Sequence, residues 1–190
     1  MHHTTRLFIA APVPEELKSY LSRQASSFQH EAIRMVPEVN LHLTLFFIGN
    51  VPIEQLSDIR EVTAHMAGQF APFDLKLQAV EPGPKPRSPR LVWARFAPDD
   101  TFANLSRGLA QALSPQPLSQ RDPIPHITLA RFRKDRPTPH NLEAISPTER
   151  IVLSVREIAV WHSELASPHP RYTILHRYPL TGNPQAADTV

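Results

Sequence analysis

The sequence predicts an α+β protein with two lobes: two pseudo-symmetric antiparallel sheets with helices on their outer faces and a groove between them. Three observations lead there. Short β-rich runs alternate with stretches whose apolar residues recur at helical spacing. The pattern His-apolar-Thr-Leu occurs at His42–Leu45 and again at His126–Leu129, so the second half of the chain echoes the first. The 21 Pro, against only 5 Gly, fall mostly between the periodic segments, where a fixed φ restricts loop conformation.

Taken in order, Arg6 to Ala11 reads as a buried strand ended by Pro12 and Pro14, and Leu17, Tyr20, Leu21 and Phe28 mark the helix that follows. Ile33 to Val36 is a short strand closed by Pro37. Leu41 to Ile48 is the first motif strand. Side chains two apart share a strand face, so Leu41, Leu43 and Leu45 point to the core while His42 and Thr44 point to the groove. Gly49 and Asn50 are expected to turn the chain, and Pro52 to begin a helix striped by Leu56, Ile59, Val62 and Met66. Phe73 to Val80 alternates apolar and polar as a half-buried strand does. Residues 82–90, PGPKPRSPR, carry four Pro with Lys85, Arg87 and Arg90 and read as an exposed basic loop.

Leu91 to Phe96 is the next strand, and Asp99 or Asp100 can cap a helix bearing Phe102, Leu105, Leu109 and Leu113. A loop from Pro115 to Pro125 delivers the second motif strand, in which His126 and Thr128 share a face. Residues 134–148 are polar, with at most a short helix. Arg150 to Trp161 is a long β-rich run that pairs with Arg171 to Tyr178 as a hairpin. The expected unit is one two-lobed domain over residues 1–190, with a frayed tail from about Gly182.

Composition narrows the functions open to this fold. The chain contains no Cys, which removes disulfides, thiolate nucleophiles and Cys-ligated zinc and is compatible with a reducing compartment. It also lacks a run of about 18 apolar residues and the charged start and apolar core of a signal peptide, so a cytoplasmic location without a membrane partner is expected. A net charge of +2 is too small for general polyanion binding, and any polyanion must be held by a local cluster.

Two imidazoles and two hydroxyls suit in-line displacement at phosphorus. One His takes the proton of the attacking oxygen, the other protonates the leaving oxygen, and Thr44 and Thr128 donate to the non-bridging oxygens as charge builds there. A lone His on a half-buried strand is ordinarily a packing residue, and only the repetition argues otherwise. Arg131 is the candidate cation, although five residues from His126 is an odd offset that needs a bend near Ala130. Phe46 and Phe47 read as packing, and the basic loop as a solvated linker. The zincin spacing is missing, so no metal is assigned, and His30, His65, His140, His162, His169 and His176 are given surface or packing roles.

RLFIAAPVP, RMVPEVNLHLTLFFIG, PHITLAR and SELASPHPRYTILHRYPL together resemble the blocks of the two-histidine phosphoesterase superfamily, and of its RNA 2′,3′-cyclic phosphodiesterase (2′-5′ RNA ligase) branch. The resemblance implies hydrolysis of a terminal 2′,3′-cyclic phosphate to a 2′-phosphate without metal or cofactor, with a reversible 2′-5′ RNA ligase activity beside it. It makes His42 the proton donor to the leaving 3′ oxygen and His126 the base that activates water. Thr44, Thr128 and Arg131 would hold the phosphate, Phe47 would lie near the nucleobase, and Lys85, Arg87 and Arg90 are candidate substrate contacts. The implied partners are RNA ends bearing the cyclic phosphate, tRNA fragments among them, met by a monomer. A small-molecule cyclic phosphodiesterase of the ADP-ribose 1″,2″-cyclic phosphate type and a noncatalytic RNA-end binder stay open as alternatives. One departure is Pro168-His169-Pro170, where the family commonly turns through Gly.

Overall fold

The computed structural model describes residues 4–85, 88–114 and 122–183. The elements are β1 (Thr4–Pro12), α1 (Glu15–Ala25), β2 (Ile33–Met35), β3 (His42–Pro52), α2 (Leu56–Gln69), β4 (Phe73–Gly83), β5 (Leu91–Phe96), α3 (Asp100–Leu113), β6 (His126–Phe132), β7 (Val152–Val155), β8 (Glu157–Glu164) and β9 (Arg171–Pro179). The strands line up as β7-β4-β5-β6-β3-β1-β8-β9, with β2 also on β6, and the paired neighbours are antiparallel. This path is two four-stranded halves, β7-β4-β5-β6 and β3-β1-β8-β9, joined at the single pair Leu43↔Ile127. The two motif strands are therefore the inner edges that meet at the seam.

The lobes are not the two halves of the sequence. Leu7 through Ala11 are buried on both faces, so β1 has to be a central strand, and it pairs with β3 on one side and with β8 on the other. Helix α1 packs on β6 and β4 in the opposite lobe, while α2 lies on β8 and β9 and α3 on β3. The expected long run from Arg150 to Trp161 divides at the exposed Arg156, where the apolar phase slips from Leu153 and Val155 to Ile158 and Val160. On either side of that one residue, β7 joins one end of the strand order and β8 the far lobe. One residue spans less than about 4 Å, so the sheet must curl until its distant members approach.

Local chemistry explains the other elements and the remaining differences. The Phe102 backbone N–H donates to the Asp99 carboxylate at 2.8 Å, which makes Asp99 the cap of α3. Gly49 does not turn the chain. It sits inside β3 at φ +91, beside an irregularity where Leu7 pairs with Gly49 and Phe8 with Phe47, and the strand runs on through Asn50 to Pro52. Pro52 precedes a 3-10 turn, and the helix itself starts at Leu56. Pro82 and Gly83 belong to β4 rather than to the basic loop. No helix falls in 134–148, where Ile145 instead bridges to Val80. The tail expected to fray from Gly182 begins anchored, since the Gly182 N–H donates to the Phe70 carbonyl at 2.9 Å, and residues 184–190 lie outside the described residues.

Leu43 and Ile127 are both fully buried where the halves touch. Leu43→Ala should therefore destabilise the protein by about 2–5 kcal/mol in denaturant unfolding. A cost under about 1 kcal/mol would show that the seam does not hold the lobes together.

Candidate active site

A cavity of about 290 Å³ opens over the seam, lined among others by His42, Thr44 and Phe47 of β3, Thr128 and Arg131 of β6, and His169 of the β8–β9 connection. That volume suits one nucleotide-sized group. His126 is not itself in the lining. It stands at the start of β6, on the same strand as Thr128 and Arg131, and its charge is close enough to lower the pKa of His42.

Both motif histidines are held in the same way. The Nδ1–H of His42 donates to the Asn40 carbonyl at 2.7 Å, and the Nδ1–H of His126 donates to the Ile124 carbonyl at 2.7 Å. In each case the acceptor lies two residues earlier, where the chain enters the strand. A neutral imidazole that uses Nδ1 as donor keeps its proton there, so Nε2 is left with a lone pair for proton transfer. Neither threonine hydroxyl is engaged by another described residue, so both are available as donors.

The surroundings of the two rings are apolar. His42 lies 4.8 Å from the Phe8 ring, 5.8 Å from Trp161 and 5.2 Å edge-on from Tyr172. Phe8, Ala10, Ala159 and Trp161 form a buried cluster separate from the main core, with the Trp161 Nε1–H tied to the Ala10 carbonyl at 3.1 Å. His126 is backed by Trp93 at 4.9 Å. A Cβ at Gly83 would come within 2.5 Å of that indole, which is why glycine stands there. Burial lowers the pKa of His42 to about 4 against the help of its carbonyl partner, and the positive charge of Arg131, with that of His126 when it is protonated, pushes the same way. Burial, seconded by Arg131, also lowers that of His126. Both rings thus rest neutral at pH 7.

The bend that Arg131 requires is present. Along β5 and β6, Val92 pairs with Ala130 but Trp93 with Thr128, so Leu129 is an extra residue. The bulge puts Leu129 and Ala130 both in the interior and returns Arg131 to the face of Thr128, in the cavity lining. β3 does the same after its own motif: Ile9 pairs with Phe46 but Ala10 with Thr44, leaving Leu45 extra. Phe47, five residues after His42, therefore occupies the place that Arg131 holds after His126. It is 49% exposed, in the cavity lining rather than in the core, with the Arg6 guanidinium 4.8 Å over its ring.

Several lining residues escape the sequence patterns. His169 joins the cavity wall, contrary to its assignment as a surface or packing residue. Asn40 is buried and its Nδ2 donates to the Pro170 carbonyl at 2.8 Å, while Arg34 reaches the Pro168 carbonyl at 3.2 Å. The Pro168-His169-Pro170 turn is thereby fastened across the groove, and Asn40 supports both this turn and His42. Arg90 lies not in the central cavity but in an adjoining basic groove, Lys85 lines neither, and Arg87 lies outside the described residues. Among the described residues no group of three His, Asp or Glu could hold a metal ion, and no helix is long and apolar enough to cross a membrane.

A curled antiparallel sheet whose inner strands bring two His-x-Thr pairs to one seam is the architecture of a two-histidine phosphoesterase. The family model described as the 2′-5′ RNA ligase superfamily matches residues 13–166, and the chain belongs to that family. It is similar to the RNA 2′,3′-cyclic phosphodiesterase of Escherichia coli (33% identical, covering 95% of this chain and 99% of that one). The enzyme of the same name from Thermus thermophilus is 32% identical, with 93% and 91% covered. Among solved structures, a Thermus thermophilus protein superposes with a TM-score of 0.81 at 30% identity, covering 93% of this chain and 98% of that one. E. coli LigT complexed with 3′-AMP superposes with a TM-score of 0.74 at 28% identity, covering 94% and 99%.

A lowered histidine pKa makes folding pH-dependent in a defined window. Below pH 6.5 the unfolded chain takes up a proton that the folded His42 refuses until about pH 4, so stability held above 6.5 is lost as the pH falls through that range. The full loss from His42 is roughly 3 kcal/mol. Denaturant melts at pH 7 and pH 4.5 should show His42→Gln losing less stability than the parent, and equal losses would contradict the account.

Proposed function

We propose that this protein hydrolyses the 2′,3′-cyclic phosphate at RNA ends to a 2′-phosphomonoester by metal-independent two-histidine acid–base catalysis. The observation that carries the reading is the matched pair of imidazoles, each tied through Nδ1 to the carbonyl two residues earlier, beside two threonine hydroxyls and an arginine. The relatives named RNA 2′,3′-cyclic phosphodiesterase support the choice of bond.

In this mechanism His126 Nε2 takes a proton from water as the water oxygen attacks phosphorus, and the P–O3′ bond breaks. His42, as imidazolium, gives its proton to O3′, leaving the phosphate on O2′. Thr44, Thr128 and Arg131 donate to the non-bridging oxygens, where charge accumulates. Burial keeps His42 neutral in the empty groove, so the donor proton arrives with the anionic substrate, whose charge raises the pKa of the ring beside it. Phe47 and the exposed Leu165 offer apolar surface to the terminal base. With a 5′-hydroxyl end in place of the attacking water, the same forward steps form a P–O5′ bond as P–O3′ breaks and give 2′-5′ ligation, and run backwards they cleave that linkage. The chain is proposed to act as a single two-lobed monomer in the cytoplasm, with tRNA fragments among its RNA substrates.

The test is turnover of an oligonucleotide ending in 2′,3′-cyclic phosphate, in the presence of EDTA. The parent should release a 2′-phosphate at an undiminished rate, and His42→Ala and His126→Ala should each lower kcat by about 10²–10⁴-fold. A 3′-phosphate product, loss of activity in chelator, or both variants retaining parental turnover would overturn the proposal.

A further inference from the structure

A second groove of about 820 Å³ leads away from the central cavity along β2, β6 and the segment that follows it. Its lining holds Arg34, Arg90, Arg131, Arg133, Lys134 and Arg136, with Asp135 as the one acid. Arg34 and Arg131 line both cavities, so the two are continuous. The groove beside Lys76, Arg95 and Glu149 shares no lining residue with the central cavity.

Among the described residues, the cations of this groove are not paired with carboxylates. Elsewhere the surface arginines Arg95, Arg107 and Arg177 pair with Glu81, Asp122 and Glu157. Among the described residues Arg90, Arg131, Arg133, Lys134 and Arg136 make no ion pair, and all five are exposed. Arg34 and Arg131 stand directly opposite each other on β2 and β6. Like charges in that cross-strand position destabilise a sheet unless an anion sits between them. Backbone hydrogen bonds fix the spacing, since the Phe132 N–H donates to the Arg90 carbonyl at 3.0 Å and the Arg133 N–H to the Ala32 carbonyl at 2.8 Å. The molecule as a whole carries a net charge of only +2, so this is a local concentration of charge.

We infer that this groove binds successive phosphates of the RNA strand on the 5′ side of the terminal nucleotide. The inference rests on the proposed function: a cyclic phosphate closes the 3′ end, so the strand can leave the cavity only in the 5′ direction, and this groove is the basic path that starts there. Guanidinium groups fit phosphodiesters, each of which carries one negative charge and two acceptor oxygens. The groove would make the protein an RNA enzyme rather than one for small cyclic phosphates, because a mononucleotide fills the cavity and never reaches Arg133, Lys134 or Arg136.

The test uses the triple variant Arg133→Ala, Lys134→Ala, Arg136→Ala, two substrates and a binding measurement. Turnover of a mononucleoside 2′,3′-cyclic phosphate should match the parent, while KM for an eight-nucleotide RNA with the same end should rise about tenfold or more. Fluorescence anisotropy with a labelled single-stranded RNA octamer should give a salt slope, log Kd against log salt, smaller by about 2 in the variant. Between 50 and 200 mM salt the parent should then lose about 20-fold more affinity than the variant. An unchanged ratio of octamer to mononucleotide efficiency, an unchanged salt slope, or competition by polyglutamate as effective as by RNA would overturn the groove assignment. Should the parent turn over neither substrate, the catalytic reading fails, and the anisotropy still decides the groove.

Discussion

Two hydrogen bonds of 2.7 Å, from His42 Nδ1 to the Asn40 carbonyl and from His126 Nδ1 to the Ile124 carbonyl, set what this groove can do. Each fixes a tautomer and a ring orientation with main-chain atoms just ahead of a strand, where the carbonyl is not used by the sheet ladder. Because the partner is backbone, the arrangement recurs wherever the local chain path recurs, and the two motif strands supply that path twice. Their meeting at Leu43↔Ile127 then brings the two copies to one seam.

A second shared feature follows each motif. The bulges at Leu45 and Leu129 change the strand phase by one residue, so both Phe47 and Arg131 face the groove. The two lobes thus offer the same His-x-Thr pair but different fifth residues, an aromatic ring on one side and a cation on the other. In the proposed chemistry this asymmetry gives the base a place on the β3 side and the phosphate charge a partner on the β6 side. The apolar rings around His42 work against its protonation, which an anion in the groove offsets. In the proposed chemistry, substrate binding and protonation of His42 are therefore coupled.

The strands and helices were legible from periodicity because most of them are amphipathic, as with Leu56, Ile59 and Met66 on α2. The motif residues were legible from repetition. The wiring was not, because a strand's pattern shows that it is buried on both faces without saying by which neighbours: β1 sits between β3 and β8, the latter some 150 residues later. Strict alternation places Arg131 on the wrong face, and only the pairing of Trp93 with Thr128 reveals the extra residue. His169 and Asn40 carry no motif of their own. They reach the site through the Pro170 carbonyl contact, which joins positions 130 residues apart. Gly49 reads locally as a turn, yet its positive φ is absorbed in an irregular strand.

The most direct check on the account is the protonation of the two imidazoles themselves, read by long-range proton–nitrogen NMR on protein with ¹⁵N-labelled histidine at pH 7. Free protein should show His42 and His126 both neutral with the proton on Nδ1, and adding a nucleoside 2′-monophosphate should convert one of them to imidazolium. An Nε2–H tautomer at either ring in the free protein, or two rings unchanged by saturating nucleotide, would contradict it.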